Sequence, residues 1–500
     1  MKQYLQQNRK TLAAGTGMLM LLVILLTVFS EGRMLSNDDD LPLWSVLPFA
    51  GMLLSIALFP LINANWWEKN MGLVSTGWAL LFFVPFLIAF GRETALSHLL
   101  EVVFLDYLPF IVLLFGLFVV SGGIILRGDL KGRPSVNVAM LGIGTLLASW
   151  IGTTGASMLL IRPLIRANGW RKQKAHIMVF FIFLVANLGG SLTPLGDPPL
   201  FLGFLRGVPF FWTLNLILPM SVNALILLTV YYFVDRYFYR KEMKDEGSSK
   251  DIQAMGAGTV TEIKQPLRIE GLRNLAFLAM IIGAVILSGV LSKNPWFFNE
   301  VTGELKGITL LREGSENIIW PYINILRDMI ILMAAFLSIK TTPQVIRRDN
   351  CFTWAPIKEV AVLFIGIFVT MIPALILLHT HGSELGLSKP MHFFWATGVL
   401  SSFLDNAPTY MVFMTAAASL GAGDGIVTSV GTIAPELLLA VSCGAVFMGA
   451  NTYIGNAPNF MVRAIAEENK IKMPGFFGYM LISLVCLIPL FILDTFLFFR

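Results

Sequence analysis

Two carboxylates lie deep in apolar sequence. Asp197 stands in GSLTPLGDPPL and Asp405 in SSFLDNAPT. A charge at the centre of a bilayer costs at least about 2.5–3.5 kcal/mol on insertion scales, so an acid there is a functional candidate. Burial disfavours the charged carboxylate and a bound cation favours it, so each acid could exchange a proton for Na⁺. Alternatively, each Asp caps the half-helix that begins with Pro198 or near Pro408, and the two roles are compatible.

The segments around these acids occur twice. GSLTPLGDPPL (190–200) matches GANTYIGNAPN (449–459) at a shift of 259 positions, and SWIGTTGAS (149–157) matches SSFLDNAPT (401–409) at a shift of 252. Helices broken in the middle of a bilayer, in two related halves, are how secondary transporters build a substrate site. The matched pairs are Thr193 with Thr452, Gly196 with Gly455, Asp197 with Asn456, Thr154 with Asn406 and Ser157 with Thr409.

The composition indicates a membrane protein. The chain is 56% hydrophobic and only 13% charged, whereas soluble domains carry roughly 25% charged residues. Three scattered cysteines are too few for a disulfide framework or a metal cluster. The excess of Lys and Arg lies in short loops between apolar segments, where membrane topology explains it. The expected partner is therefore the lipid bilayer, with no nucleic acid and no bound cofactor.

Apolar stretches long enough to cross a bilayer account for most of the chain. A spanning helix needs roughly 20 apolar residues. Two further regions, 135–206 and 390–470, are apolar but interrupted by Gly, Pro and amide side chains. The predicted spans are 13–30, 42–64, 73–91, 99–126, 210–234, 272–292, 328–341, 357–380 and 474–498.

Basic loops predict the orientation, because cytoplasmic loops carry an excess of Lys and Arg. The basic N-terminus is therefore placed in the cytoplasm and the acidic loop 31–41 outside. Basic loops at 127–134 and 166–174 lie at both ends of segment 135–165. This segment must enter and return on the same side, so it is predicted to be a re-entrant hairpin.

Two crossings are predicted to be broken helices. Region 175–206 crosses outward, and region 431–470 crosses inward after a second hairpin, 390–421, that enters from outside. Irregular backbone survives at membrane depth only inside protein or beside a watery cavity. We therefore predict an all-α polytopic membrane protein with an inverted-topology repeat. Its parts are an extra helix and outside loop (1–41), the first repeat (42–234), a cytoplasmic linker (235–270) and the second repeat (271–500).

The hairpin tips and the breaks supply the candidate ligands. Opened helices expose N–H groups that attract anions and C=O groups that attract cations. Hydroxyl and amide side chains, including Asn187, could replace the water shell of a small ion. Asp197 and Asp405 are the candidate Na⁺ ligands. The candidate ion- or substrate-binding residues are Thr153, Thr154, Ser157, Thr193, Gly196, Asp197, Asp405, Asn406, Thr409, Asn451, Thr452 and Asn456.

These motifs resemble the ion transporter superfamily from about residue 45 to the end of the chain. GSLTPLGDPP, LDNAPTY and NTYIGNAPN are most similar to bacterial NhaD-type sodium:proton antiporters and CitMHS-type citrate transporters. The resemblance implies a scaffold part and a mobile transport part, a homodimer, and ion and substrate sites in the tips and breaks. The antiporters often have Asn-Asp where this chain has Thr153-Thr154, and neither tip matches the Ser-Asn-Thr of anion symporters.

Two transport functions remain open. The first is a sodium:proton antiporter in which Asp405 and Asp197 alternately hold Na⁺ and H⁺. The second is a symporter of citrate or another carboxylate, with half-helix N-termini and Arg162 as anion contacts. No metalloprotease or serine-hydrolase motif lies within a span, so the chain is not expected to be an enzyme. The expected location is the bacterial inner membrane, with a cytoplasmic N-terminus and several membrane crossings.

Overall fold

The computed structural model describes residues 41–128, 130–253, 268–300, 304–313 and 316–500, so the predicted span 13–30 lies outside the described residues. The described chain is mostly helical, and its strands form only two-stranded pairs. Seven of its helical segments are long and apolar enough to cross a bilayer. The prediction of an all-α polytopic membrane protein is confirmed.

One set of helices packs together and forms what we call the scaffold bundle. Its first helix, α1 (Leu47–Glu101), follows a 3₁₀ turn, Leu43–Val46, and is kinked at Asn63 and Gly91, so it folds back on itself. It therefore contains two of the predicted spans and part of a third. The remaining scaffold elements are a π-helix (Val102–Tyr107), α2 (Leu108–Ser121), α8 (Arg273–Leu291), α9 (Tyr322–Thr341) and α11 (Ala355–His381), with the short α10 (Gln344–Asp349) between the last two.

Two helical hairpins lie where re-entrant hairpins were predicted. In the first, α3 (Pro134–Ile151) packs against α4 (Thr153–Ala167) with one residue between them. That residue, Gly152, has φ +79°, a left-handed conformation that glycine adopts without a steric cost. The second hairpin consists of α12 (Pro390–Phe403) and α13 (Asn406–Ala418).

Two interrupted helices pack against these hairpins, and together the four units form what we call the core bundle. In each, a 3₁₀ turn and an irregular segment separate two half-helices. Prolines at the start of each second half remove a backbone donor, which favours a new helix start over a continuous helix. The units are α5 (Ala175–Leu184), Leu188–Ser191 and α6 (Pro198–Leu205), then α14 (Pro435–Met448), Gly449–Asn451 and α15 (Ala457–Glu468).

A long helix enters the stretch predicted as a linker. After a 3₁₀ turn, Phe210–Leu216, helix α7 (Ile217–Gln253) continues past residue 235 because its side chains are anchored there. Buried Arg171 forms ion pairs with Asp235 and, at 2.9 Å, with Glu242, and His176 contacts Asp235 at 2.8 Å. Residues 254–267 lie outside the described residues, and the boundary between the repeats remains a prediction. The last helix, α16 (Phe476–Phe498), packs against α7.

The strands are short antiparallel pairs in the connections. Pairing of β1 (Ile125–Arg127) with β2 (Arg268–Glu270) ties the two halves together. Arg127 reinforces this contact through ion pairs with Glu270 at 2.9 Å and Asp349 at 2.5 Å. The other pairs are β3 (Phe298–Asn299) with β4 (Glu304–Leu305), β5 (Gly307–Glu313) with β6 (Glu316–Pro321), and β7 (Ile426–Thr428) with β8 (Gly431–Ile433).

Replacing Arg171 should destabilise the fold strongly. Arg171→Met leaves Asp235 and Glu242 buried without their cation, and breaking a buried ion pair costs about 3–5 kcal/mol. We expect a large drop in the melting temperature measured in detergent by tryptophan fluorescence. Arg348→Met is the matched control, because the Arg348 side chain is 80% exposed and its loss should leave the melting temperature unchanged. Equal melting temperatures for both variants would contradict the anchoring role of Arg171.

Candidate ion and substrate site

Asp197 lies where the hairpins and the broken helices meet. Its extended backbone places it at the N-cap of α6, with Pro198 as the first helical residue. Its carboxylate does not bond the N–H groups of that helix. The side chain of Asp197 therefore points away from its own half-helix, toward partners on other segments.

Three other segments each donate one hydrogen bond to this carboxylate. Thr153 Oγ1, from the first hairpin, donates to Asp197 Oδ1 at 3.1 Å. Asn406 Nδ2, from the second hairpin, donates to Oδ2 at 2.6 Å. Asn456 Nδ2, at the second break, donates to Oδ1 at 3.2 Å. Each of the four side chains is at most 1% exposed, so the contact between the four units is a buried polar centre.

The charge of this centre is not compensated by protein cations. All three donors to Asp197 are neutral, and no Lys, Arg or His of the described residues forms an ion pair with it. A buried charge that lacks a counter-charge is costly. Protonation of Asp197, or a bound monovalent cation, would remove that cost. The centre therefore suits the binding of a small cation.

Buried amide oxygens of the core bundle could serve as further ligands. Asn406 Oδ1 and Asn451 Oδ1 are buried and have no hydrogen-bond partner among the described residues. An amide presents two donors or one acceptor oxygen, depending on its rotation about the last side-chain bond. Rotating the Asn406 amide would exchange a donor to Asp197 for a neutral oxygen ligand. Carboxylate, hydroxyl and amide oxygens form a donor set suited to Na⁺.

Asp405 caps a helix, which is the alternative role that the sequence suggested for each acid. Its side chain accepts a hydrogen bond from Ala407 N at 3.0 Å and so caps α13. One carboxylate oxygen of the half-buried Asp405 thus bonds its own helix, whereas neither oxygen of Asp197 does. The structure brings Asp197, rather than Asp405, to the contact between the repeats.

The two matched threonines fasten each hairpin to its neighbouring break. Thr193 Oγ1 donates to Ser149 O, near the end of α3. Thr452 Oγ1 donates to Ser402 O, near the end of α12, at 2.5 Å. Each hydroxyl also accepts a backbone N–H two residues further on, from Leu195 and Ile454 at 3.2 Å. These hydroxyls are engaged with backbone, so they position the site without facing Asp197.

Close backbone contact explains the paired glycines. A Cβ on Gly196 would overlap the backbone of Gly190, and a Cβ on Gly455 would overlap that of Gly449. Gly196 O also accepts the N–H of Thr153 at 2.8 Å. Glycine at these positions lets each break fold back on itself and meet the hairpin tip.

The other candidates lie around the centre without contacting Asp197. Thr409 Oγ1 donates to Asp405 O at 2.9 Å, and Asn451 Nδ2 donates to Ser402 Oγ at 2.9 Å. Ser157 Oγ is buried without a partner among the described residues, and Thr154 is half-buried. Their roles in binding remain predictions.

A further amide, Asn459, was missed by the sequence interpretation. Its Oδ1 accepts a hydrogen bond from Asn187 Nδ2 at 2.7 Å, and Asn187 Oδ1 accepts one from Asn456 Nδ2 at 3.2 Å. Asn459 Nδ2 donates to Gly449 O and Thr452 O, both at 2.9 Å. This amide chain crosses between the broken helices and holds Asn456 in place. The signal was present, because Asn459 matches Leu200 in the repeat and is polar where its partner is apolar.

Residues 38–499 match the model of a family described as "Putative citrate transport". The chain belongs to this family. The predicted likeness to CitMHS-type transporters is thereby confirmed, and the family membership makes the protein a secondary transporter. No curated protein matches the chain. The likeness to NhaD-type antiporters remains a prediction.

A methyl group at Gly196 should disrupt the polar centre of this citrate-family protein. Gly196→Ala forces the first break apart, and overpacking of this kind typically costs about 1–3 kcal/mol. We expect a lower melting temperature and loss of transport. Gly283→Ala, in the middle of α8, is the control, because a Cβ there meets nothing within 4 Å. Full transport by Gly196→Ala would show that the contact between Gly190 and Gly196 is dispensable.

Proposed function

We propose that the protein is a cation-coupled transporter of citrate or another small carboxylate that works by alternating access. The observation that carries this proposal is the buried carboxylate of Asp197, on which two hairpins and two broken helices converge. The family indicates the class of cargo. Transported Na⁺ or H⁺ would bind at Asp197, and the carboxylate would bind beside it.

The coupling ion follows from the electrostatics of the centre. Without a cation, the charge of Asp197 is stabilised only by neutral donors, and the mobile part carries a net negative charge through the apolar region. With H⁺ or Na⁺ bound, this charge is neutralised. Moving a neutral centre across the bilayer costs less than moving a charged one. The bound cation therefore permits the movement, which couples the ion gradient to the cargo.

The anion side of the site is supplied by half-helix N-termini. Neither α4, which begins at Thr153, nor α15, which begins at Ala457, has a side-chain cap at its N-terminus. Exposed N–H groups at a helix N-terminus attract carboxylates, and broken helices of transporters use them in this way. Arg162 lies further along α4, is half-buried and has no ion-pair partner among the described residues. It is the first side chain to replace in tests of anion binding.

Transport by purified protein in proteoliposomes tests this function. We expect uptake of labelled citrate that requires an inward Na⁺ or H⁺ gradient. Asp197→Asn removes the only charge of the centre, so gradient-driven uptake should be abolished. Asp405→Asn should retain uptake within about twofold, because Asn caps a helix as well as Asp does. Asp424→Asn, in an exposed loop, is the matched control and should transport normally.

Comparing the Asp197→Asn and Asp405→Asn variants shows which acid couples transport to the ion gradient. Loss of uptake in Asp405→Asn together with normal uptake in Asp197→Asn would reverse the assignment of the coupling residue. Binding of citrate to Asp197→Asn, measured by calorimetry, should persist if this acid acts on coupling alone. Absence of uptake for citrate, succinate and other carboxylates in the wild type would reject the proposed cargo.

A sodium:proton antiporter is the second candidate, and one observation favours it. The donors to Asp197 are neutral, and among the described residues no Arg or Lys bonds to the polar centre, so the contacts shown serve a cation alone. Vesicles loaded with a pH-sensitive dye distinguish the candidates. Proton movement driven by Na⁺ in the absence of any carboxylate, and lost in Asp197→Asn, would support the antiporter. Movement that requires citrate would support the symporter.

The proposed orientation places the N-terminus and helix α7's end in the cytoplasm of a bacterial cell. Cysteines introduced as Ser36→Cys and Glu246→Cys should react differently with a membrane-impermeant maleimide applied to intact cells. Position 36 should be labelled from outside and position 246 only after permeabilisation, because acidic and basic flanks face opposite sides. Labelling of position 246 in intact cells would invert the proposed topology.

A further inference from the structure

Arg206 joins the core bundle to the scaffold bundle. It directly follows α6, and its guanidinium bonds two scaffold acids. Nη1 lies 2.9 Å from Glu101 Oε1, at the end of α1, and Nη2 bonds Asp106 in the π-helix. The Arg206 side chain is 11% exposed and that of Asp106 is 3% exposed. At this end of the core bundle, α6 packs directly against the π-helix and α2.

The equivalent end of the other broken helix borders a cavity. Helix α15 packs against α4 and α5 of the core bundle. A cavity of about 750 Å³ separates it from α1. Leu58 and Ala64 of α1 line one wall, and Arg463 and Ala464 of α15 line the other. Helix α6 thus bonds the scaffold through Arg206, whereas helix α15 faces scaffold helix α1 across a cavity.

Arg463 lies in this gap without a scaffold partner. Its guanidinium contacts Glu467 of its own helix at 2.9 Å and lies 4.7 Å from the centre of the Tyr453 ring. Its side chain is 23% exposed. Exposed pairs of residues four apart on a helix contribute only about 0.3–0.5 kcal/mol, so Glu467 holds Arg463 weakly.

Two scaffold acids lie at the same end of the molecule. Glu359 of α11 and Glu68 of α1 lie at the same level of two packed helices, because Gly72, four positions after Glu68, faces Val362, three positions after Glu359. Glu68 follows Ala64, on the cavity wall, by four residues. Neither carboxylate forms an ion pair with any described residue. Two neighbouring carboxylates that share no cation repel each other, so a positive group between them would be favourable.

The repeat relates the two ends. Helices α6 and α15 belong to the segments matched at a shift of 259 positions, and Arg463 lies two positions before the residue that this shift assigns to Arg206. Arg206 bonds two scaffold acids, and Arg463 faces helix α1, which carries Glu68 one turn beyond the cavity wall. In an inverted repeat, the opposite-facing state arises when each half takes the arrangement of the other. That exchange would bring Arg463 to Glu68 and Glu359 and would move Arg206 away from Glu101 and Asp106.

We propose that Arg206 and Arg463 are alternating latches of the transport cycle. In the conformation described here Arg206 fastens the α6 end of the core bundle to Glu101 and Asp106. In the opposite-facing conformation Arg463 leaves Glu467 and fastens the α15 end to Glu68 and Glu359. The proposal rests on alternating access in the proposed function, but it does not depend on the identity of the cargo.

Thiol labelling of the full-length protein in detergent tests the latches. Cys351, Cys443 and Cys486 are first replaced by Ser, and Ala464→Cys places a single thiol on the cavity wall. A soluble maleimide should label this thiol rapidly while the cavity is open. Removing the Arg206 latch with Glu101→Gln and Asp106→Asn should lower the labelling rate by at least about threefold, because the population shifts to the state in which the cavity is closed.

Removing the other acids should not slow the labelling. Glu68→Gln with Glu359→Gln takes away the partners of Arg463, so labelling should be as fast as, or faster than, in the parent, while transport falls. Glu270→Gln breaks an ion pair within the scaffold connections and should leave the rate unchanged. Equal shifts in both double variants would indicate nonspecific loosening and would overturn the proposal.

A cross-linking experiment tests the latches independently of whether the double variants fold. Arg206→Cys with Glu101→Cys, joined by a cleavable bifunctional thiol reagent in the variant that lacks the three native cysteines and keeps Ala464, should stop transport until the linker is cleaved. Continued transport by the cross-linked protein would also overturn the latches. If citrate is not transported but the labelling rates shift as expected, the cargo is wrong and the latches stand. If citrate is transported and the rates do not shift, the latches are wrong.

Discussion

The structure depends on one constraint, which is that the carboxylate of Asp197 is buried and no cationic side chain among the described residues pairs with it. Neutral donors must therefore reach it from every side, and one span cannot supply them. The hairpin tips and the second break each contribute one donor, so all four interrupted units have to meet at one point. The irregular backbone that this meeting requires survives at membrane depth because it lies inside protein, where its polar groups find partners.

Hydrogen bonds join each hairpin to its neighbouring break, so the core bundle can move as a single body. Thr193 and Thr452 bond the ends of α3 and α12, while the contact of Gly190 with Gly196 folds the first break against the tip of its hairpin. These contacts are local to the core bundle, whereas the ion pairs of Arg206 cross to the scaffold. Displacement of the core bundle as a body would leave the first set intact and break the second. Alternating access requires strong contacts within the moving unit and contacts at its edge that can be exchanged.

Composition and repeated motifs were enough to predict the class of fold and the residues that meet at Asp197. Clusters of glycine and proline in apolar sequence have a direct physical consequence, since each proline removes a backbone donor and several close together disfavour a continuous helix. The continuation of α7 past residue 235 was not predictable, because Arg171, more than sixty positions away, anchors Asp235 and Glu242. The capping role of Asp405 was also unresolved, because the sequence does not show which way a carboxylate turns. A contact between distant residues decides the first feature, and the rotation of one side chain decides the second.

The difference between the repeats at the centre has a physical reason. The position of Asp197 in the first break is occupied by Asn456 in the second, and the two side chains bond each other. An acid at both positions would place two carboxylates within hydrogen-bond distance in a buried site, where one would have to remain protonated. An amide at both positions would leave no charge for an ion to neutralise. One acid facing one amide keeps the folded contact between the repeats and leaves a single charge at their centre, so binding of one proton or one monovalent cation is enough to change the net charge of the core bundle.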